Sequence, residues 1–470
     1  MSSITRRKPI GSMDPDESGH GLKRSLSWWH LVLLGVGAIV GTGIYTLTGV
    51  GVDRAGPGII VAFALVGVIC ACVALGYAEL ATMIPGAGGA YTYSYAVLGE
   101  LLAWMVGWSL MLEYSFVVSA VAVGWSGYAV GFLEGLHLSL PHALTVGPHE
   151  GGVFNLPAVF IIAVVAGLLI LGTKESATVN AILVTIKLAA LLLFIAVALP
   201  HFDPANFEPL MPYGFNKSVV GGMERGVMAG AAIVFFAFYG FDAVATAAEE
   251  TKRPGRDLII GILGSMVICT ILYMLVAAAA VGSMDFGAFA KSSEPLAEIV
   301  RLLDQPVFAQ WIAAAVVVGV PTVILAFLYG QTRIFFVMAR DGLLPPILSR
   351  VNQRTGTPVL VTVFTAIVVA ALAGILRLDE IAALANAGTL AAFIAVGVCL
   401  VVLRVREPDR PRGFRTPLVW PVAFVAIAGC LYLFYSLPWS TQRYFLIAQA
   451  VGLVIYFAYG ARRSRLAREG

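Results

Sequence analysis

Runs of apolar residues long enough to cross a bilayer recur along nearly the whole chain, and no other feature narrows the possible folds so far. Hydrocarbon offers no water to backbone N–H and C=O groups, so a spanning segment must satisfy them internally. Runs of about 20 apolar residues are the length of a spanning helix. With 59% hydrophobic and 12% charged residues and a mean hydropathy of +0.89, the chain reads as an all-α integral membrane protein rather than a soluble multi-domain one. Twelve transmembrane helices are predicted, at about 28–52, 57–83, 98–132, 153–172, 176–199, 225–248, 257–282, 307–336, 358–376, 380–404, 417–437 and 443–461. The runs 98–132 and 307–336 exceed what a straight span needs, so tilt or extension beyond the bilayer is expected of both.

Loop charge gives the orientation. With the N-terminus inside, 22 of the 30 Lys and Arg residues fall on the cytoplasmic side, among them Lys174, Arg340, Arg354, Arg404 and Arg412. Seven fall outside, among them Arg54, Arg225 and Arg377, and Lys187 lies within a span. Positive charge marks the cytoplasmic side, so an N-in, C-in topology is expected. Residues 1–27 are polar and basic without an apolar core, which predicts a cytoplasmic tail and no cleavable signal peptide. Residues 462–470 read as a second basic cytoplasmic tail. Cys70, Cys72, Cys269, Cys399 and Cys430 all sit in apolar runs and read as small hydrophobic filler, not disulfides or metal ligands.

Span one carries an anomaly. Gly35-Val-Gly-Ala-Ile-Val-Gly41-Thr-Gly43-Ile-Tyr45 repeats glycine inside a membrane-length run. Glycine is unfavourable in a helix interior and serves where the backbone leaves helical geometry or is approached closely. Two readings use these residues: a broken helix, or close packing of small residues against another helix. Two glycines within one turn, at 41 and 43, favour the break. A discontinuous spanning helix offers a positive half-helix N-terminus to an anion and free carbonyls to a cation. A dinucleotide-binding glycine loop would need a preceding strand and a βαβ unit, and neither is present.

Span six echoes the first with Phe235-Phe-Ala-Phe-Tyr-Gly240-Phe-Asp242. The two are five spans apart, so the second unit enters the membrane in the opposite sense. Paired interrupted helices in inverted halves point to a binding site near the midplane. The chain divides into a five-helix repeat at 28–199, an inverted five-helix repeat at 225–404, and two further helices at 417–461.

Two charges lie deep in the spans. An ammonium at Lys187, mid-span, is costly unless it faces a polar cavity, pairs, or releases its proton. The bland reading is a lysine that snorkels to an interface, and its depth argues against that. Glu113 in span three reads equally as a substrate or proton group and as a hydrogen-bonding group between helices. Asp242, beside Gly240, reads as the N-cap of a resumed helix, and Glu79 as a gate or an interface contact. Of Phe235, Phe236, Phe238, Tyr239 and Phe241, some are expected to close over a substrate and most to pack. His137, His142 and His149 have no ligand-like spacing. No metalloprotease, P-loop or nucleophile-elbow motif occurs, so no enzyme, metal or cofactor is expected.

The first-span stretch resembles the signature of the amino acid–polyamine–organocation superfamily of transporters. Ala55-Gly-Pro57, Tyr77-Ala-Glu79-Leu, Pro85-Gly-Ala-Gly-Gly-Ala-Tyr91-Thr-Tyr and the stretch from Gly99-Glu100 to Gly107-Trp108 resemble it too. So do Phe238-Tyr-Gly-Phe-Asp242 with Glu249-Glu250, and Arg340-Asp341-Gly-Leu-Leu-Pro345. Over residues 25–460 the chain is similar to bacterial members of the cationic amino acid transporter family. The resemblance implies a 5+5 inverted repeat (LeuT-like) with helices 1 and 6 discontinuous, in a bacterial plasma (inner) membrane. It implies that the substrate carboxylate meets backbone N–H groups from Val40 through Gly41, Thr42 and Gly43 to Ile44. The substrate amine would meet carbonyls at Ile39 and from Phe235 to Phe238, with Tyr239 beside them. Lys187 matches a fifth-helix lysine that stands in place of a sodium ion and couples to protons, and Glu113 matches a third-helix acid. Tyr45 departs from the family's usual Phe.

The leading expectation is a proton-coupled importer of L-amino acids working by alternating access. A proton-independent exchanger or uniporter is the alternative, and a membrane amino acid sensor a third. Cationic and small neutral substrates both stay open.

Overall fold

A computed structural model describes residues 6–8, 26–84, 88–172, 177–246, 251–352 and 357–469. Most of the 1–27 tail, Pro85 to Ala87, Lys174, the Glu249-Glu250 pair and Arg354 lie outside the described residues. Span one is a succession of three helices, α1 (Trp28–Ile39), α2 (Thr42–Tyr45) and α3 (Leu47–Ala55). There follow α4 (Ile59–Met83), the short α5 (Gly89–Val97), the 36-residue α6 (Glu100–Gly135), α7 (Leu156–Ile170) and α8 (Ala177–Ala198). A two-stranded hairpin, β1 (Ser218–Val220) antiparallel to β2 (Met223–Arg225), then precedes span six. That span comprises α9 (Val227–Val234), a 3₁₀ turn Phe235–Phe238 and α10 (Phe241–Thr246). The rest is α11 (Ile259–Ser283), α12 (Pro295–Leu302), α13 (Pro306–Gly319), α14 (Pro321–Arg340), α15 (Val359–Ile375), α16 (Leu378–Arg406), α17 (Val419–Ser436) and α18 (Trp439–Ile455).

Helices thus occupy every predicted apolar segment. Among the described residues, eight helical stretches are long and apolar enough to cross a bilayer, and four shorter apolar helices accompany them. The protein is a mostly helical, multi-pass membrane protein. The run 307–336 divides at Pro321, which cannot donate to the preceding turn, so α13 ends at Gly319 and α14 starts afresh. The run 98–132 stays one helix of about 54 Å, well beyond the hydrocarbon thickness. Phe424, Ile367 and Val454 stand exposed on the outer helices, as apolar residues facing lipid do.

Charged groups gather at the two ends. At one end Arg54 donates to Asp379 Oδ2 at 3.2 Å and to Glu224 O at 3.1 Å, while Arg225 pairs with Asp53 at 3.3 Å. At the other, Lys8 pairs with Asp341 at 2.9 Å, and Tyr91 donates to the second oxygen of that carboxylate at 2.9 Å. Beside them Glu79 is buried and doubly paired, with Arg404 at 2.6 Å and Arg412 Nε at 2.9 Å. The Thr416 N–H donates to it as well, at 2.7 Å. Glu79 is therefore the contact that fastens the α16–α17 loop to α4.

Candidate functional site

The first break falls where the glycines put it. α1 ends at Ile39, Val40 and Gly41 are extended, and helix resumes at Thr42. Among the described residues, the N–H groups of Gly41, Thr42 and Gly43 donate to no backbone carbonyl, as expected at a new helix start. The second break runs through the 3₁₀ turn Phe235–Phe238 and extended Tyr239 to Gly240, whose φ of +107° only glycine adopts freely. α10 begins at Phe241, so Asp242 lies inside its first turn and is not the N-cap the sequence suggested. A carboxylate in a first turn still suits the helix dipole.

The two breaks touch backbone to backbone. A Cβ on Gly43 would stand 2.7 Å from Ala237 Cβ and 2.9 Å from Ala237 N. One on Gly240 would stand 2.7 Å from the Ala38 carbonyl carbon. Both glycines are required for this approach. It leaves a small cavity between them, lined by Ala38, Ile39, Gly41, Thr42, Gly43, Val117, Val121, Phe236, Tyr239, Val323 and Phe327. Its volume of about 10 Å³ has room for about one water. The side chains contributed by α6 and α14 are all apolar.

Lys187 is fully buried, and its ammonium donates to Gly37 O at 2.7 Å and Val40 O at 3.0 Å, the carbonyls left bare where α1 ends. Tyr273 caps a third, Ile39 O, at 2.9 Å. Tyr45 donates to the Lys187 carbonyl at 2.5 Å, so the hydroxyl that distinguishes it from Phe is used. Tyr128 in turn donates to Tyr45 O at 2.7 Å.

Of the residues expected at the site, Ile39, Gly41, Thr42, Gly43, Phe236 and Tyr239 line the cavity. Val40 and Ile44 face it with no side chain; Val40 O serves Lys187 and Ile44 O accepts from Thr48 at 2.6 Å. Phe235 packs on Phe393 with ring centres 5.7 Å apart, and Phe238 on Tyr273 at 5.5 Å. Glu113 is also off the cavity wall. It is buried against α16, where a Cβ on Gly388 would lie 3.1 Å from its own, and its Oε2 has no hydrogen-bond partner among the described residues. Asp242, Tyr77 and Tyr114 are near enough to interact with it electrostatically.

The sequence reading passed over Asn386 of α16. It is fully buried, and its amide donates to Ala232 O at 2.6 Å and Ile233 O at 3.1 Å and accepts from the Tyr239 hydroxyl. The available signal is a carboxamide in mid-span, in Ala385-Asn386-Ala387-Gly388-Thr389. Val117, Val121, Val323 and Phe327 carry no such signal.

Residues 26–457 match the family described as amino acid permease. The branched-chain amino acid permease BcaP of Bacillus subtilis (strain 168) is 46% identical, over 99% of this chain and 99% of that protein. The methylthioribose transporter of the same organism is 41% identical, over 99% and 100%. Cationic amino acid transporter 4, vacuolar, of Arabidopsis thaliana is 38% identical, over 87% of this chain and 68% of that protein.

Proposed function

The chain belongs to the amino acid permease family, a transporter and not an enzyme, and on that footing we propose that it imports amino acids by alternating access coupled to protons. The observation that carries this reading is the meeting of two interrupted helices with Lys187 bonded across the first break. Twelve spans in a 5+5 inverted repeat, with both termini inside, fit the contacts at the ends. Arg54, Glu224 and Asp379 stand at the end of the bundle that loop charge assigns outside, and Lys8, Glu79, Asp341 and Arg412 at the end it assigns inside. A miscounted span would join loops from opposite sides. The bacterial relatives support the plasma membrane of a bacterium as the location.

The free N–H groups of Gly41, Thr42 and Gly43 suit the substrate carboxylate, at the positive end of a half-helix. The walls formed by Val117, Val121, Val323 and Phe327 suit an aliphatic side chain, and no acid is among the residues lining the cavity. That agrees with the name of the Bacillus permease more than with that of the Arabidopsis transporter.

Lys187 couples the proton. Charged, it holds the end of α1 through two charge-assisted bonds; neutral, it holds it through weaker ones. The difference is about 1 kcal/mol per bond, so the pair shifts a conformational equilibrium roughly 30-fold.

The test is uptake of labelled leucine, alanine and arginine into liposomes, with and without an inward proton gradient, for the wild type and Lys187→Met. Leucine and alanine uptake is expected to accelerate with the gradient in the wild type and to lose that response in the variant. Uptake indifferent to the gradient, with counterflow intact, makes the protein an exchanger or uniporter in which Lys187 is structural. Binding without movement makes it a sensor, and preference for arginine removes the aliphatic assignment.

A further inference from the structure

Each break in a spanning helix strands carbonyls that lipid cannot satisfy. At the first break the principal donor is Lys187, in the fifth predicted span. At the second it is Asn386, in the tenth. An inverted 5+5 repeat makes spans five and ten equivalents, so the same job falls to the same place in each half. Asn386 is held in one sense only, because reversing its amide would turn the carbonyl oxygen toward two other carbonyls.

Chemistry separates the two donors. An ammonium can gain or lose a proton and a carboxamide cannot, so the bonds to Ala232 O and Ile233 O have one strength throughout a proton cycle. The amide oxygen also fixes the Tyr239 hydroxyl, and Tyr239 lines the cavity.

We infer that Asn386 is the positioning residue of the second break, an uncharged counterpart of Lys187 that holds Tyr239 against the substrate and keeps this half of the site indifferent to protons. The inference rests on the transport reading above. The titratable groups around the amide are Tyr239 at the break itself, Glu113 of α6 packed on Gly388 of the same helix, and Asp242 and Tyr77 near Glu113. None of them bonds to Ala232 O or Ile233 O among the described residues.

Asn386→Asp tests this, because it preserves shape and adds a proton-dependent donor. Ionised, the new carboxyl has no hydrogen for either carbonyl; protonated, it regains one. Leucine counterflow at equal pH on both sides removes any gradient, and each variant's KM is divided by the wild-type KM at the same pH. That ratio is expected to fall at least tenfold for Asn386→Asp between pH 8 and pH 5. For Asn386→Ala it is expected to be raised on the order of tenfold and flat with pH, from two lost hydrogen bonds. Asn386→Gln, which keeps both amide functions, is expected to recover part of the loss. A pH-independent ratio for Asn386→Asp, or wild-type KM in Asn386→Ala, overturns the inference. If Asn386→Asp does not fold, the KM of Asn386→Ala against Asn386→Gln decides, and equal values overturn it. Wild-type protein that exchanges no amino acid defeats the transport reading instead, so the two failures are distinct.

Discussion

A single methyl group at Gly43 tests whether the two breaks depend on touching. Gly43→Ala places a carbon 2.7 Å from Ala237 Cβ and 2.9 Å from Ala237 N, where carbon atoms at rest stand about 3.5–4.0 Å apart. The obstacle includes backbone, so no rotamer change relieves it, and the breaks must separate by about 1 Å. Interiors packed to crystal density take up such shifts poorly, and overpacking costs about 1–3 kcal/mol. With a main chain as the obstacle, we expect the upper end, near 3 kcal/mol. Gly167→Ala is the control, since nothing lies within 4 Å of the added Cβ and a helix interior gains up to about 1 kcal/mol from the change. The assays are the thermal midpoint of purified protein and the KM of leucine counterflow. Gly43→Ala should lower the midpoint by several degrees and raise KM, while Gly167→Ala does neither. Wild-type midpoint and KM in Gly43→Ala would refute the claim that the breaks meet.

Two further perturbations address the ends. Glu79→Gln leaves Arg404 and Arg412 buried without their carboxylate, at about 3–5 kcal/mol, whereas Arg410→Gln removes only a partly exposed pair with Glu407 and should cost less than about 1 kcal/mol. Equal thermal midpoints for the two variants would contradict the fastening role of Glu79. Glu294 precedes α12 and packs on Gly131; burial pushes its carboxyl from 4.5 up to about 7, helped by Glu298 and Glu134 and opposed by Arg301. The folded state therefore holds this proton more tightly than the unfolded chain, and stability falls as pH rises from 4.5 to 7, by about 3 kcal/mol in all. After division by the intrinsic exchange rate at each pH, protection from hydrogen exchange across 290–305 should be lower at pH 8 than at pH 5 in the wild type and lose that difference in Glu294→Gln.

Legibility follows from what the bilayer demands. A helix at each predicted segment can be read off because hydrocarbon imposes both length and apolarity, and the breaks because glycine there opposes helix propensity. Lys187 stands out because a mid-span charge needs a reason. Its partners do not, since Gly37 O and Val40 O are main-chain atoms that no sequence labels. Asp242 misses the cap because the helix restarts at Phe241, two residues earlier than an N-cap at 242 would place it. Glu113 is visible as a charge, but the helix it packs on is not, since its Cβ lies against Gly388, some 275 residues away. Val117 and Phe327 are hidden for the opposite reason, because an apolar residue in an apolar helix does not reveal which face it lies on. Pro321 marks a division that run length alone renders as one long span.

The small volume of the cavity constrains what must move. On the proposed import of an aliphatic amino acid, about 10 Å³ is too small for the substrate, so some wall has to yield. One wall is a face of α6, a continuous helix whose backbone bonds would have to be broken to bend it, and another is the first turns of α14, just past the division at Pro321. The other two are the breaks, whose stranded carbonyls are held by side chains from Lys187, Tyr273 and Asn386. Side-chain bonds can re-form on a displaced backbone without undoing a turn of helix. On the proposed mechanism, motion is thus least costly at the breaks and at Pro321, and the first break carries Lys187, whose bonds weaken when its proton leaves.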